Sequence, residues 1–158
     1  MTELLVGTKK GLFVLDGNVG AGFEVTARAF PGQSVEYAMR DPRSGLYLAS
    51  VTSWFYGGRI WVADDPASEW REAEGTALPE DGDPGCLFES HDGGLTWSLN
   101  RGLWDHPTRP DWTPGGGGLC LHTIVPWPGD PDRLMVAISA VGVWLSDDGG
   151  RTWRHGNK

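Results

Sequence analysis

The sequence predicts an all-β fold assembled from short antiparallel sheets, and three observations support this prediction. The 158 residues include 24 glycines and 11 prolines, which interrupt the chain too often for long helices. One turn pattern, S-x-D-G-G-x-T-W, occurs twice, at residues 90–97 and 146–153. Apolar runs of strand length lie upstream of both copies. These features exclude helical bundles and coiled coils.

Composition and charge restrict the classes of partner. Hydrophobic residues make up 39% of the chain and include nine tryptophans, which is enough apolar surface for a core. The net charge is −8 and no stretch is dense in Lys or Arg, so we expect no nucleic-acid partner. Lys9 and Lys10 interrupt the first apolar residues, and no apolar run approaches the roughly 20 residues of a membrane helix. We therefore expect a cytoplasmic protein with no membrane partner.

Cysteine usage gives no indication of a cofactor or metal. Cys86 and Cys120 have no neighbouring ligand or redox motif, and we interpret them as buried or incidental thiols. We predict no cofactor.

The first half of the chain predicts two sheets. The segment 11–17 has a Gly-led strand pattern that ends in Asp-Gly, and we interpret it as an eroded copy of the turn pattern. Strands are expected at 35–39 and 46–50, joined by a turn at Asp41-Pro42. A weaker third copy of the turn pattern, within 60–70, keeps Asp65 and the closing Trp70.

The second half repeats the same order. A Gly-led strand at 85–90 leads into the copy at 90–97. Strands at 122–127 and 134–139, with an expected Asp130-Pro131 turn, precede the copy at 146–153. Each repeat therefore predicts a four-stranded antiparallel unit of the kind found in propeller blades. Its order is strand, Asp-Pro turn, strand, Gly-led strand, turn pattern and last strand. One such unit cannot cover both of its faces, so the units must stack.

The eight-residue pattern, which we call the clasp, has a conformational role. Its glycine pair permits positive φ in a tight turn, its Asp and Ser or Thr side chains can bond the turn's own amides, and its Trp fills the gap beneath. The predicted structural residues are Ser90, Asp92, Gly93, Gly94, Thr96 and Trp97 in the first clasp and Ser146, Asp148, Gly149, Gly150, Thr152 and Trp153 in the second.

These clasps resemble those of the Asp-box, or BNR-repeat, β-propellers, a superfamily that includes sialidases and other glycosyl hydrolase-related proteins. The resemblance implies a single propeller region over 1–158, a partial β-propeller of about three four-stranded antiparallel blades, one of them shortened. Its blade-like units are expected at about 1–34, 35–79, 80–105 and 119–158. In that superfamily the clasp lies on the periphery, away from the active centre, so the motif itself indicates fold more than chemistry.

Repeat spacing predicts which blade is shortened. The serines that open the two clasps are 56 residues apart, whereas only 27 residues separate Ala63 from Ser90. A complete blade needs about 40 residues. The acidic, turn-like segment 77–85 leaves no room for two inner strands. We expect a piece of a longer propeller with an internal deletion, whose open blade edges favour self-association.

The long loop 100–118 is the candidate ligand site. Connections between blades lie on the face where propellers bind ligands, its tryptophans can stack on sugar rings, and its glycine run lets a ligand approach the backbone. The predicted ligand-binding residues for a glycan or another small molecule are Trp104, His106, Arg109, Asp111, Trp112 and His122. The alternative is a loop that two tryptophans simply pin to the surface. A metal site from its histidines and Asp111 matches no ligand spacing, so we predict no metal.

The sequence carries no complete catalytic signature. Glycoside hydrolysis uses two carboxylates, or a Tyr–Glu nucleophile in sialidases. Asp111, Glu36 and Asp41 are the acidic candidates, and the segment closest to the sialidase F/Y-R-I-P motif, 59–61, lacks the proline. Two hypotheses follow: a sialidase-like repeat protein that binds or hydrolyses a glycan at the loop-bearing face, or a non-catalytic propeller scaffold for protein–protein interaction.

Overall fold

The computed structural model describes residues 1–53, 57–77, 79, 85–116 and 118–156. The predicted all-β class is confirmed, with antiparallel sheets of two to four strands. The chain divides into two compact units, Met1–Ala77 with Ser90–Trp97, and Leu78–Glu89 with Ser98–Lys158. The boundaries predicted for the four blade-like units, and their grouping into one region, stay predictions.

The first unit contains two sheets whose strands pair in chain order. The strands are β1 (Thr2–Thr8), β2 (Gly11–Asn18) and β3 (Gly22–Ala29) in one sheet, and β4 (Ser34–Arg40), β5 (Tyr47–Ser53), β6 (Gly57–Ala63) and β7 (Arg71–Glu72) in the other. Leu12 and Val14 of β2 pack with Val35 of β4 and with Ala49 and Val51 of β5. Because side chains alternate along each strand, these residues form one apolar layer between the two sheets.

The second unit holds the shortened sheet and a complete one. The strands are β8 (Phe88–Glu89) and β9 (Ser98–Leu99), paired as two strands, and β10 (Leu121–Trp127), β11 (Asp130–Ile138), β12 (Gly142–Ser146) and β13 (Arg154–His155), paired as four. The prediction of one shortened sheet is confirmed: among the described residues, the sheet that carries the first clasp has two strands, whereas the sheet that carries the second has four. The acidic stretch 80–84 lies outside the described residues.

Two sequence-based turn assignments need correction. β10 and β11 meet at Pro128-Gly129, where Trp127 pairs with Asp130, so Asp130-Pro131 begins a strand and does not form the turn. Gly129 has φ 78°, and a glycine adopts that value without strain, which places the turn there. The Asp41-Pro42 turn, by contrast, forms as predicted, with Asp41 N–H donating to the Leu46 carbonyl at 2.8 Å.

The segment 11–17 is a strand and not an eroded clasp. All of it lies in β2, and the turn to β3 comes later, where the Asn18 side chain accepts from the N–H groups of Gly20 and Ala21. An Asp-Gly pair favours a turn only where the neighbouring strands leave it unpaired. Here Asp16 and Gly17 are paired with both β1 and β3.

Both clasps form the same internal hydrogen bonds. The Ser90 and Ser146 hydroxyls each accept from the second clasp glycine at 2.8 Å, and the Thr96 and Thr152 hydroxyls each donate to the clasp Asp at 2.6 Å. The four clasp glycines have φ between 71° and 96°. In each clasp the closing Trp Nε1 donates to the carbonyl of the second glycine at 2.9 Å.

The third copy closes in a similar way without the glycine pair. The Asp65 carboxylate accepts from Ala67 N–H at 2.8 Å, and Trp70 Nε1 donates to the Pro66 carbonyl at 3.3 Å. Trp70 then packs edge-on against Phe30, with ring centroids 5.0 Å apart. The closing tryptophan therefore fills the space beneath this turn as well.

Strand β10 forms one edge of the complete sheet and carries exposed apolar side chains. Ile124, Val125 and Trp127 are all exposed there. Within the described part of the chain, no helix has the length and apolar content needed to cross a membrane.

Candidate ligand-binding cleft

A cleft of about 460 Å³ opens in the second unit, at the end of the complete sheet where β11 turns into β12. This end is opposite the second clasp, which joins β12 to β13. Residues from the long loop and from the sheet share its lining: His106, Thr108, Asp111, Trp112, Thr113, Ala140, Val141, Trp144 and His155. Both its size and its mixture of aromatic and polar groups are typical of small-molecule sites.

The long loop is more regular than its glycine and proline content suggested. It begins with the one-turn helix α1 (Arg101–Trp104) and contains a 3₁₀ turn at Arg109–Asp111. Asn100 caps α1, because its side-chain oxygen accepts from Leu103 N–H at 2.9 Å. Leu103 is fully buried and packs in the core of the second unit, which fixes the loop to the sheet.

Arg109 holds the loop in place. Its guanidinium donates to the Gly85 carbonyl at 2.7 Å and lies 3.8 Å over the ring of Trp104 and 5.0 Å over the ring of Trp112. Because these contacts occupy the guanidinium, it stabilises the loop and is not directed at a ligand. Trp104 and Arg109 therefore support the cleft from outside its lining.

The floor of the cleft is aromatic. Trp144, only 3% exposed, contacts the rings of His106, Trp112 and His155 at centroid distances of 4.7, 5.1 and 5.1 Å. His155 is the direct cross-strand partner of Trp144. Trp144, which lies on β12, therefore contacts all three of the other rings.

Hydrogen bonds orient the cleft's polar groups. His106 Nδ1 accepts from the backbone N–H of Thr108 at 3.3 Å and lies 2.9 Å from the Thr108 hydroxyl. His155 Nε2 faces the Val141 carbonyl at 3.0 Å and therefore carries a proton. Trp112 Nε1 donates to the Thr108 hydroxyl at 3.2 Å. The aromatic rings are thus fixed in direction before any ligand arrives.

One donor near this floor is unsatisfied. The Nε1 of Trp144 is buried and has no hydrogen-bond partner among the described residues. A buried N–H without an acceptor costs about 1–3 kcal/mol, which favours an acceptor beside it.

The structure brings together three of the six predicted ligand-binding residues. His106, Asp111 and Trp112 line the cleft, while His122 lies on β10, where its Nδ1 is 2.8 Å from the Thr123 hydroxyl. Sequence reasoning named neither Trp144 nor His155 as a ligand-binding residue, although both line the cleft, where His155 is exposed. The clasp at 146–153 could have indicated this pair, because it joins two antiparallel strands. Trp144 lies two residues before the clasp and His155 two residues after it, so the two residues face each other across the strands.

The acidic candidates do not share this cleft. Asp111 lines it, whereas Glu36 and Asp41 belong to the first unit. Glu36 accepts from the Ser34 hydroxyl at 2.8 Å. A hydrogen bond from the Ser44 hydroxyl lowers the pKa of Asp41 to about 2, so this carboxyl is ionised at neutral pH and is a turn-forming residue.

Among the described residues, no group of three or more His, Cys, Asp or Glu side chains is placed to hold a metal ion. No protein-family model matches the chain, and comparison with curated proteins finds no significant similarity.

Proposed function

We propose that this chain is a carbohydrate-binding protein of the Asp-box propeller type, and that it binds sugar at the aromatic cleft of the second unit. The observation that carries the proposal is the floor formed by Trp144, Trp112 and the two imidazoles, with hydroxyl and carboxylate groups beside it. Indole faces complement the apolar C–H face of a sugar, while polar groups around them bind its hydroxyls. The resemblance of the clasps to those of glycosyl hydrolase-related propellers supports the same ligand class.

We infer binding without hydrolysis. Glycosidases place two carboxyl groups about 5–9.5 Å apart across the scissile bond, and one of them needs a raised pKa to act as the acid. Asp111 is the single carboxylate in the described lining of this cleft. The proposed function therefore rests on recognition.

The test is sugar binding by a Trp112→Ala variant, measured on a glycan array and then by calorimetry. We expect affinity to fall about tenfold, because an aromatic contact contributes about 0.5–1.5 kcal/mol beyond its area. Trp112→Phe keeps a ring and should retain most of the affinity. Trp127→Ala, which removes an exposed indole outside the cleft, is the matched control.

Circular dichroism on all three variants separates loss of the cleft from loss of fold. Equal loss of binding in Trp112→Ala and Trp127→Ala would show that the cleft is not the site. A folded wild-type protein that binds no sugar on the array would overturn carbohydrate binding and leave the scaffold hypothesis, for which the exposed apolar residues of β10 are the surface to examine.

A further inference from the structure

The formal charge of the cleft lining comes from one side chain. Among its described lining residues, Asp111 is the one side chain with a full formal charge at neutral pH, and neither Lys nor Arg is present. The guanidinium that the sequence placed here, Arg109, is turned to the Gly85 carbonyl and the Trp104 ring. A carboxylate on the ligand would therefore meet no cationic partner from this lining.

The two imidazoles of the lining make their hydrogen bonds to uncharged groups of the protein. His106 Nδ1 accepts from Thr108 N–H at 3.3 Å. His155 donates from Nε2 to the Val141 carbonyl. Both rings also stand edge-on to the buried Trp144.

Asp111 sits in the 3₁₀ turn with its side chain exposed at the cleft. Within the described part of the chain, the Asp111 carboxylate forms neither a salt bridge nor a side-chain hydrogen bond. A carboxylate in that state accepts hydrogen bonds from sugar hydroxyls and repels a like charge.

We propose that the cleft selects neutral sugars against acidic ones and that Asp111 is the specificity-determining residue. This inference rests on the proposed function, since it assigns the ligand class of the same site. Attraction comes from the aromatic floor and from hydroxyl donors meeting the Asp111 carboxylate. An acidic sugar is disfavoured because its carboxylate and the Asp111 carboxylate repel each other, with no cation between them. Such a repulsive contact is one way in which a site discriminates between ligands.

The experiment uses an array that carries matched pairs of oligosaccharides, such as lactose and 3′-sialyllactose, that differ by one sialic acid. Wild type should bind the neutral member at least about fivefold more tightly, the factor expected for two unit charges about 4 Å apart in water. Asp111→Asn keeps the size and an acceptor oxygen but removes the charge. It should therefore reduce the ratio of the affinity for the neutral sugar to the affinity for the acidic sugar. Added salt should narrow it in wild type as well.

Asp105→Asn is the matched control. It makes the same change in net charge on the same loop, at a residue paired with Arg101 and outside the cleft lining. The neutral-to-acidic ratio should be unchanged in this variant. An equal narrowing in both variants would mean that overall charge sets the preference, which would overturn the role of Asp111.

The outcomes distinguish the two proposals. Sialylated members binding as tightly as the neutral ones, with Trp112→Ala abolishing both, would overturn charge selection and leave sugar binding at the cleft intact. Absence of binding to either member across the array would overturn the proposed function and this inference together.

Discussion

The two clasps have matching sequences and matching internal hydrogen bonds, yet they differ in what surrounds them. In the first clasp, Trp97 and Ser90 are half-buried. Backbone hydrogen bonds anchor this clasp, because Trp97 N–H donates to the Glu74 carbonyl and Glu74 N–H donates to the Leu95 carbonyl. In the second, Trp153 is 6% exposed and its Nε1 lies 3.1 Å from the Asn100 side-chain oxygen.

This difference shows that a motif defines a turn, whereas its neighbours decide how much the turn contributes to stability. The second clasp belongs to the core of its unit, since Trp153 packs with Leu103, Val136 and Trp144. Because Trp144 also forms the floor of the cleft, the second clasp supports the candidate site from below, and the first has no such link within its own unit's described core.

The largest expected effect comes from removing the closing tryptophan. Trp153→Ala should lower the free energy of unfolding by about 3–5 kcal/mol, the range for a buried aromatic residue replaced by alanine. Trp97→Ala should lower the free energy of unfolding by clearly less, because the Trp97 side chain is only half-buried. Urea denaturation followed by far-UV circular dichroism measures both. Equal losses would mean that burial does not distinguish the clasps.

A smaller effect is expected at Asn100, which joins α1 to the second clasp. Its side chain donates to the Gly150 carbonyl at 2.9 Å and accepts from Leu103 N–H, so Asn100→Ala leaves buried groups unpaired and should cost about 1–3 kcal/mol. The control is Asn18→Ala, where water can replace the bonds of an exposed turn. Denaturant unfolding of both variants tests this, and a loss at Asn18 as large as at Asn100 would contradict it.

The smallest and most specific effect concerns acid pH. A hydrogen bond from the Thr152 hydroxyl lowers the pKa of Asp148 to about 2, and one from Thr96 lowers the pKa of Asp92 as well. A carboxyl whose pKa is lowered by folding stabilises the protein above its unfolded pKa of about 3.9, and that contribution disappears as pH falls through the folded value.

Asp148→Asn should therefore be less stable than wild type at pH 7, with the difference shrinking between about pH 4 and pH 2. Thermal melts across this range measure the difference, and Asp92→Asn should follow the same direction because its clasp bonds are the same. If the difference in melting temperature between wild type and Asp148→Asn is the same at every pH, ionisation of Asp148 does not contribute to stability.

Much of the fold was predictable because its signals are local. The clasp residues bond to amides two to four positions away, so eight consecutive letters are enough to define the turn. The spacing between repeats likewise predicted the two-stranded sheet. The wrong assignments, at Asp130-Pro131 and at 11–17, came from the same local propensities, which strand pairing with distant residues overrode.

The sequence by itself determined the all-β class, the two clasps, the shortened sheet and the importance of the loop that contains Asp111 and Trp112. Only the tertiary structure decided which side chains line the cleft. It turned Arg109 outward onto Gly85, 24 residues away in the chain, and set His155 against Trp144 across a strand pair. These outcomes depend on packing between segments far apart in sequence, and no local pattern encodes the free energy of those contacts.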